Sequence, residues 1–106
     1  MNMMRGMHVR TIALLCLLSQ LGSAWAVVDC SKPKTKVDWM LCSNDKAALE
    51  EERMALEFRA AMNRTDKREA LMQEQRDWTV NVRDICNEVA CLVRAYRDRA
   101  SELQTY

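Results

Sequence analysis

The sequence predicts an all-α protein: a small antiparallel helical bundle of one short helix and three longer helices, cross-linked by disulfide bonds. Three observations favour this fold class. The stretch from Lys46 to Met62 has no glycine or proline and is rich in good helix formers. Mainly apolar residues further on recur at helical spacing. Four cysteines follow the first 26 residues, and so short a chain needs cross-links because it buries little core.

Residues 1–26 are predicted to be a cleaved signal peptide. Arg5, His8 and Arg10 form a basic front end, Ile12–Leu18 is an apolar run, and Ala24–Ala26 supplies a small-x-small cleavage site. The apolar run is too short for a permanent transmembrane helix, although an uncleaved membrane anchor is the alternative. The expected location is therefore periplasmic or secreted.

Cleavage after Ala26 leaves residues 27–106, a single domain of 80 residues with 14 Lys and Arg against 15 Asp and Glu. This nearly neutral charge does not predict nucleic-acid binding, which would call for a basic patch. The remaining chain has no second apolar segment that would predict a membrane span. We therefore expect a protein partner, with the oligomeric state left open.

The first two helices are predicted from capping residues and composition. Thr35 is expected to cap a short helix over Lys36 to Cys42, and the sequence Ser43-Asn44-Asp45 to separate it from the helix over Lys46 to Met62. The core-facing stripe of the longer helix is expected to contain residues at helical spacing, with neighbours that widen it: Leu49, Leu56, Ala60 and Asn63, widened by Ala55, Phe58 and Met62.

The third helix has the strongest pattern in the chain. Thr65 or Asp66 is expected to cap it after a turn. Its predicted inner face repeats every three or four residues: Leu71, Gln75, Trp78, Val82 and Ile85. A last helix is expected from about Val89 to Leu103, with one side formed by Leu92, Tyr96, Arg99 and Leu103.

The cysteines left after cleavage are Cys30, Cys42, Cys86 and Cys91. An even number in a small exported chain indicates disulfides. Zinc is the alternative, but the cysteines are not closely paired and the only histidine, His8, leaves with the signal. Of three possible connectivities, Cys30–Cys42 with Cys86–Cys91 is the simplest. The second bond requires a break in the helix, which a left-handed backbone at Asn87 would provide.

The residue types do not favour catalysis, a cofactor or a metal site. The predicted mature chain has no histidine to act as a base and no glycine for a phosphate-binding loop. The consecutive carboxylates of Glu50, Glu51 and Glu52 point in different directions around a helix and do not form a catalytic pair. We therefore predict no catalytic residues and a binding function rather than an enzyme.

Two features are candidates for a partner-binding surface. The helix segment with Glu50, Glu51, Glu52 and Arg53 is either a solvated face or a negative patch that attracts a cationic partner. Trp39 is either a core residue or an exposed aromatic anchor.

A third set is expected to be mainly structural. Trp78 should lie in the core, and Gln75 should form a hydrogen bond across the bundle. Arg83 and Asp84 are expected to form ion pairs within the fold, with contacts to a partner as the alternative.

The later motifs are Gln75-Arg76-x-Trp78 and Arg83-Asp84-x-Cys86, followed by Cys91, Tyr96 and Arg99. Together with Asp29-Cys30, Val37 and Leu41-Cys42-Ser43 upstream, this pattern resembles the LprI-type lysozyme-inhibitor family. The resemblance implies an all-helical envelope protein with disulfides that protects peptidoglycan from muramidases. It also implies a scaffold role for the matched residues, including Gln75, Trp78, Arg83 and Tyr96. The alternative is a periplasmic adaptor, immunity or assembly module that binds another envelope protein.

Overall fold

Four α-helices form the part of the chain that the computed structural model describes, residues 28–106. The predicted all-α fold class is confirmed, and no strand occurs within this range. The third helix continues directly into a short π-helix, Thr79–Arg83. The α-helices in chain order are α1 Lys36–Ser43, α2 Asp45–Arg64, α3 Arg68–Trp78 and α4 Val89–Leu103.

Side-chain caps begin the first two helices. The hydroxyl of Thr35 accepts a hydrogen bond from the Asp38 N–H at 3.1 Å, and the Asp38 carboxylate accepts one from the Thr35 N–H at 3.2 Å. Asn44 then caps α2, because its side-chain oxygen accepts from the Ala47 N–H at 3.0 Å. The predicted Thr35 cap and the break before α2 are confirmed.

The two most closely packed helices, α2 and α4, run in the same direction. Arg97, in the middle of α4, donates to Glu50 in the second turn of α2 at 3.0 Å. Near their ends, Arg64 donates to the Leu103 carbonyl at 3.0 Å. Residue numbers therefore increase in the same direction along both helices, which makes α2 and α4 parallel. Their contact face is the main part of the core.

α3 runs antiparallel to α4, as expected for helices joined by a short loop. The rings of Trp78 and Tyr96 lie 5.7 Å apart between centroids, and Gln75 accepts a hydrogen bond from Arg99 at 2.8 Å. The later residue of α3, Trp78, contacts the earlier residue of α4, Tyr96, whereas the earlier Gln75 contacts the later Arg99. Consecutive long helices are thus antiparallel, which is the predicted arrangement.

The predicted inner face of α2 is wrong for its leucines, although Phe58 and Met62 are partly buried against the core as predicted. Leu49 and Leu56 are 64% and 59% exposed, while Ala47 and Ala61 are completely buried. Small residues on the inner face allow the backbones of α2 and α4 to approach closely. The same helical period also places Glu50 and Glu51 on the inner side, where polar side chains of α4 donate hydrogen bonds to them.

The predicted inner face of α3 is correct only over its first half. Leu71 and Trp78 are buried, but Ile85 is 65% exposed and Val82 also faces solvent. In the π-helix, the Asp84 N–H donates to the carbonyl of Thr79, five residues back, at 2.9 Å. This wider turn shifts the phase of the residues that follow, so the inward position passes to the buried Cys86.

The predicted last helix is confirmed in its bounds and in its buried side. Leu92, Tyr96, Arg99 and Leu103 are all at most 5% exposed. The predicted caps around α3 and α4 are wrong.

Lys67 occupies the N-cap position of α3, and its side chain makes no capping hydrogen bond. The Thr65 hydroxyl accepts from the Lys67 N–H and not from an N–H of the helix. No residue other than glycine has a positive φ between residues 28 and 106, so Asn87 is not left-handed. Extended backbone at Glu88 separates the π-helix from α4 instead.

The predicted disulfide pairing is confirmed. Cys30 bonds to Cys42 and Cys86 bonds to Cys91, each with 5.5 Å between Cα atoms. The first bond ties the segment before α1 to its last turn, and the second ties the connection after the π-helix to the first turn of α4. The predicted signal peptide, residues 1–26, lies outside the described residues. Within residues 28–106, no helix has the length and apolar character needed to cross a bilayer.

Replacing both Cys30 and Cys42 with alanine should lower the free energy of unfolding by about 3 kcal/mol, because the bond closes a loop across a sequence separation of 12. Urea unfolding of the variant and the oxidised wild type measures the difference. A non-reducing peptide map should show that Cys86–Cys91 is still formed. A loss below about 0.5 kcal/mol would mean that this bond does not restrict the unfolded chain as described.

Candidate functional site

The three consecutive glutamates of α2 do not form one acidic surface. Glu50 and Glu51 are each only 7% exposed, and Glu52 alone faces solvent. Consecutive helix positions are about 100° apart, and two of them here fall on the side that meets α4. The predicted negative patch is therefore wrong for Glu50 and Glu51.

Glu50 is held between two arginines. One carboxylate oxygen accepts from Arg97 on α4 at 3.0 Å. The other oxygen is 4.0 Å from the guanidinium of Arg53 and accepts no hydrogen bond within the described residues. The Arg53 side chain itself is 68% exposed. Glu50 thus links α2 to α4, while Arg53 presents its charge to solvent.

Glu51 is the second buried acid of α2. It accepts a hydrogen bond from the Tyr96 hydroxyl at 3.0 Å. Burial raises the pKa of the Glu51 carboxyl, although the Tyr96 hydrogen bond and the charge of Arg83 act against this. Burial, followed by the Glu51 charge, also raises the pKa of Tyr96. The pair is therefore a structural link rather than an accessible acid and base.

The motif residues of the third helix meet around Tyr96. Trp78 is buried and packs against the Tyr96 ring, as predicted for a core residue. Arg83 forms the expected ion pair with its neighbour Asp84 at 2.8 Å. Gln75, Trp78 and Arg83 thus pack against the side of α4 that carries Tyr96 and Arg99, and all of these residues support the fold.

The cross-bundle hydrogen bond predicted for Gln75 is confirmed. Its side-chain oxygen accepts from Arg99 at 2.8 Å, and its amide nitrogen lies 3.2 Å from the Met54 sulfur. Arg99 is almost fully buried and also donates to Glu102 at 3.1 Å. Gln75 therefore connects α3 to both other long helices.

The exposed residues of α2 form a different candidate surface from the predicted one. Glu52 and Arg53 lie three and four residues after Leu49, and Leu56 lies four and three residues after them. We call these four exposed residues the outer ridge. The sequence predicts the leucines as core residues, but hydrophobicity and helical spacing do not identify the side of α2 that packs against α4. Two large apolar side chains are therefore exposed on this helix, which makes it a candidate binding surface.

Trp39 is 63% exposed on α1, so the prediction of a core residue is wrong and the alternative of an exposed aromatic side chain applies. Val37 and Leu41 occupy the inner side of this two-turn helix, and position 39 falls on its opposite side.

Within residues 28–106, no group of three or more His, Cys, Asp and Glu side chains is arranged to hold a metal ion. All four cysteines in this range form disulfides, which leaves no thiolate for a zinc site.

Comparison of this chain with family models, curated proteins and solved structures finds no match. The resemblance to the LprI-type family therefore stays a prediction.

Replacing Tyr96 with phenylalanine should lower the free energy of unfolding by about 1–3 kcal/mol, because the buried Glu51 carboxylate loses its hydrogen-bond donor. Urea unfolding at neutral pH measures this loss. Tyr106→Phe removes a hydroxyl that donates to Glu74 at an exposed position, where water can replace the lost hydrogen bond, and should stay within about 0.5 kcal/mol of wild type. Equal effects of both substitutions would contradict the structural role of the Tyr96 hydroxyl.

Replacing Glu51 with glutamine should reduce the dependence of stability on pH. Since the folded-state pKa of Glu51 lies above its ordinary value of 4.5, the folded protein binds this proton more tightly than the unfolded chain. That stabilisation is present in acid and is lost as pH rises through the raised pKa. The free energy of unfolding of Glu51→Gln, relative to wild type, should thus increase from about pH 4 to about pH 7.

Urea unfolding across this pH range tests the prediction, and Glu52→Gln controls for removal of one negative charge from the exposed side of α2. A relative stability of Glu51→Gln that stays constant or falls with pH would show that the carboxyl is not destabilised by burial.

Proposed function

We propose that this protein is an exported binding protein similar to lysozyme inhibitors, and that it blocks a peptidoglycan-cleaving muramidase in the periplasm or outside the cell. Two disulfides in a chain of this size are typical of proteins in oxidising compartments and are consistent with export. The motif resemblance supports the choice of a muramidase as partner. The proposal assigns no catalytic step to the chain itself.

The outer ridge is the observation on which the proposal depends. Its two leucines are more than half exposed, and Arg53 projects between them from a convex helix surface. Large apolar side chains left in solvent around an arginine are typical of partner-binding surfaces. The inner side of α2 is packed against α4, so the ridge is held rigidly and loses little conformational freedom on binding.

The chemistry of the ridge suits the substrate cleft of a muramidase. Glycoside hydrolases act through a pair of carboxylates that flank the scissile bond. A guanidinium group pairs strongly with a carboxylate once water is excluded, and flanking leucines exclude water. Arg53 is suited to this contact because its partner within the fold, Glu50, is 4.0 Å away and also receives Arg97. We assign Arg53 to pair with the carboxylates of the muramidase, and Leu49 and Leu56 to pack against the walls of the muramidase cleft.

The oxidised protein, purified after export, should slow the clearing of a bacterial cell suspension by a lysozyme in a saturable, dose-dependent manner. Arg53→Ala and Leu49→Ala should each weaken inhibition by about tenfold or more, because anchor residues at the centre of an interface contribute about 2 kcal/mol. Titration of inhibitor at fixed lysozyme concentration gives the inhibition constants.

Arg94→Ala is the matched control, since Arg94 is an exposed arginine on α4, away from the ridge. It should inhibit like the wild type. A complete dose curve without inhibition, repeated with animal, phage and bacterial types of lysozyme, would overturn the proposed function. Inhibition that is equally strong in all three variants would keep the function and move the contact away from the outer ridge.

A further inference from the structure

A groove runs between α2 and α3, on the side of α2 next to the outer ridge. It has two adjoining compartments with volumes of about 500 and 460 Å³, and both are lined by Phe58 and Arg59. The groove exists because α2 packs more closely on α4 than on α3. Along α2 it extends from Glu52 to Asn63, roughly 16 Å at 1.5 Å per residue.

The walls of the groove are mainly apolar. Methionines contribute on both sides, and their unbranched side chains adapt to flexible apolar ligands. Each compartment has the size of a small-molecule site rather than the broad surface that a protein partner needs. The apolar lining consists of Met54, Ala55, Leu56, Phe58, Met62 and Met72.

Two arginines of the lining have no partner within residues 28–106. Arg59 lines both compartments and Arg68 lines one, and neither forms an ion pair or a side-chain hydrogen bond in the described range. The sequence explains this, because no acidic residue lies three or four positions from either arginine in their helices. The smaller compartment of the groove is thus lined by two uncompensated guanidinium groups.

We propose that this groove binds a long-chain carboxylic acid. The acyl chain lies along the methionines and Phe58, where burial of apolar surface stabilises it. The carboxylate lies in the smaller compartment, which Arg59 and Arg68 both line, and their guanidinium groups bind it in bidentate geometry. The length of the groove, roughly 16 Å, suits one extended acyl chain. The groove adjoins the muramidase contact and shares Glu52 and Leu56 with it, whereas neither Arg59 nor Arg68 belongs to that contact.

Calorimetric titration of the delipidated protein with palmitate, below the concentration at which it forms micelles, tests the proposal. We expect saturable binding of one molecule per chain. Hexadecanol, which has the same chain length but no charge, should bind at least about tenfold more weakly, because charged hydrogen bonds to both arginines are lost.

Arg59→Gln with Arg68→Gln should weaken palmitate binding by about tenfold or more and leave the binding of hexadecanol unchanged. Ala55→Trp, which fills the first compartment, should reduce the binding of both ligands. Arg94→Gln, on α4, is the control and should bind like the wild type. Circular dichroism of each variant verifies that the helices are retained.

Three results would overturn the proposal: no saturable binding of palmitate, palmitate binding unchanged by the double arginine substitution, or binding to phosphatidylglycerol vesicles without binding to free palmitate. Because the lysis assay uses neither ligand, its outcome is independent of this one.

Discussion

The hydrogen bond from Tyr96 to the buried Glu51 sets the register of the bundle. An acidic side chain placed this deeply must have a partner, because an unpaired buried carboxylate costs several kcal/mol. Tyr96 can supply one only if α2 and α4 lie at a single axial offset and a single rotation. The neighbouring bond from Arg97 to Glu50 requires the same offset. Apolar contacts between two helices would tolerate sliding, whereas these polar contacts specify one alignment.

The surfaces follow from this alignment. Once the Glu50 and Glu51 side of α2 faces α4, the opposite side, with Leu49 and Leu56, must face solvent. The outer ridge is thus exposed because the glutamates on the other side of α2 are buried. The same rotation turns Phe58 and Arg59 towards α3. Since α3 is connected to α2 mainly through the long side chains of Gln75 and Met54, an apolar groove remains open between the two helices.

Local devices hold the smaller elements against this helix pair. The capping box of Thr35 and the bond between Cys30 and Cys42 order α1, a helix of two turns that would not be stable alone. At the other end, the π-helix and the Cys86–Cys91 bond carry the chain from α3 into α4. The π-helix brings Arg83 near Glu51 and Tyr96, so its positive charge offsets part of the cost of burying the carboxylate. Binding surfaces and scaffold therefore use different residues of the same helices.

The sequence by itself determined the helical segments, the Thr35 cap and the buried side of α4, because each depends on neighbours within a few positions. It favoured the observed cysteine pairs as the simplest of three connectivities, and the tertiary structure decided between them. The sequence did not determine which side of α2 is buried. Alanine and glutamate at positions 47, 50, 51 and 61 have the same helical period as the leucines, and only α4 supplies the groups that make burying the glutamates possible. The phase of the helix after Trp78 was likewise decided by the tertiary structure, since a five-residue turn replaces the usual four at Thr79. The exposure of Trp39 and of the outer ridge, and with them the candidate binding surface, depends on these packing choices.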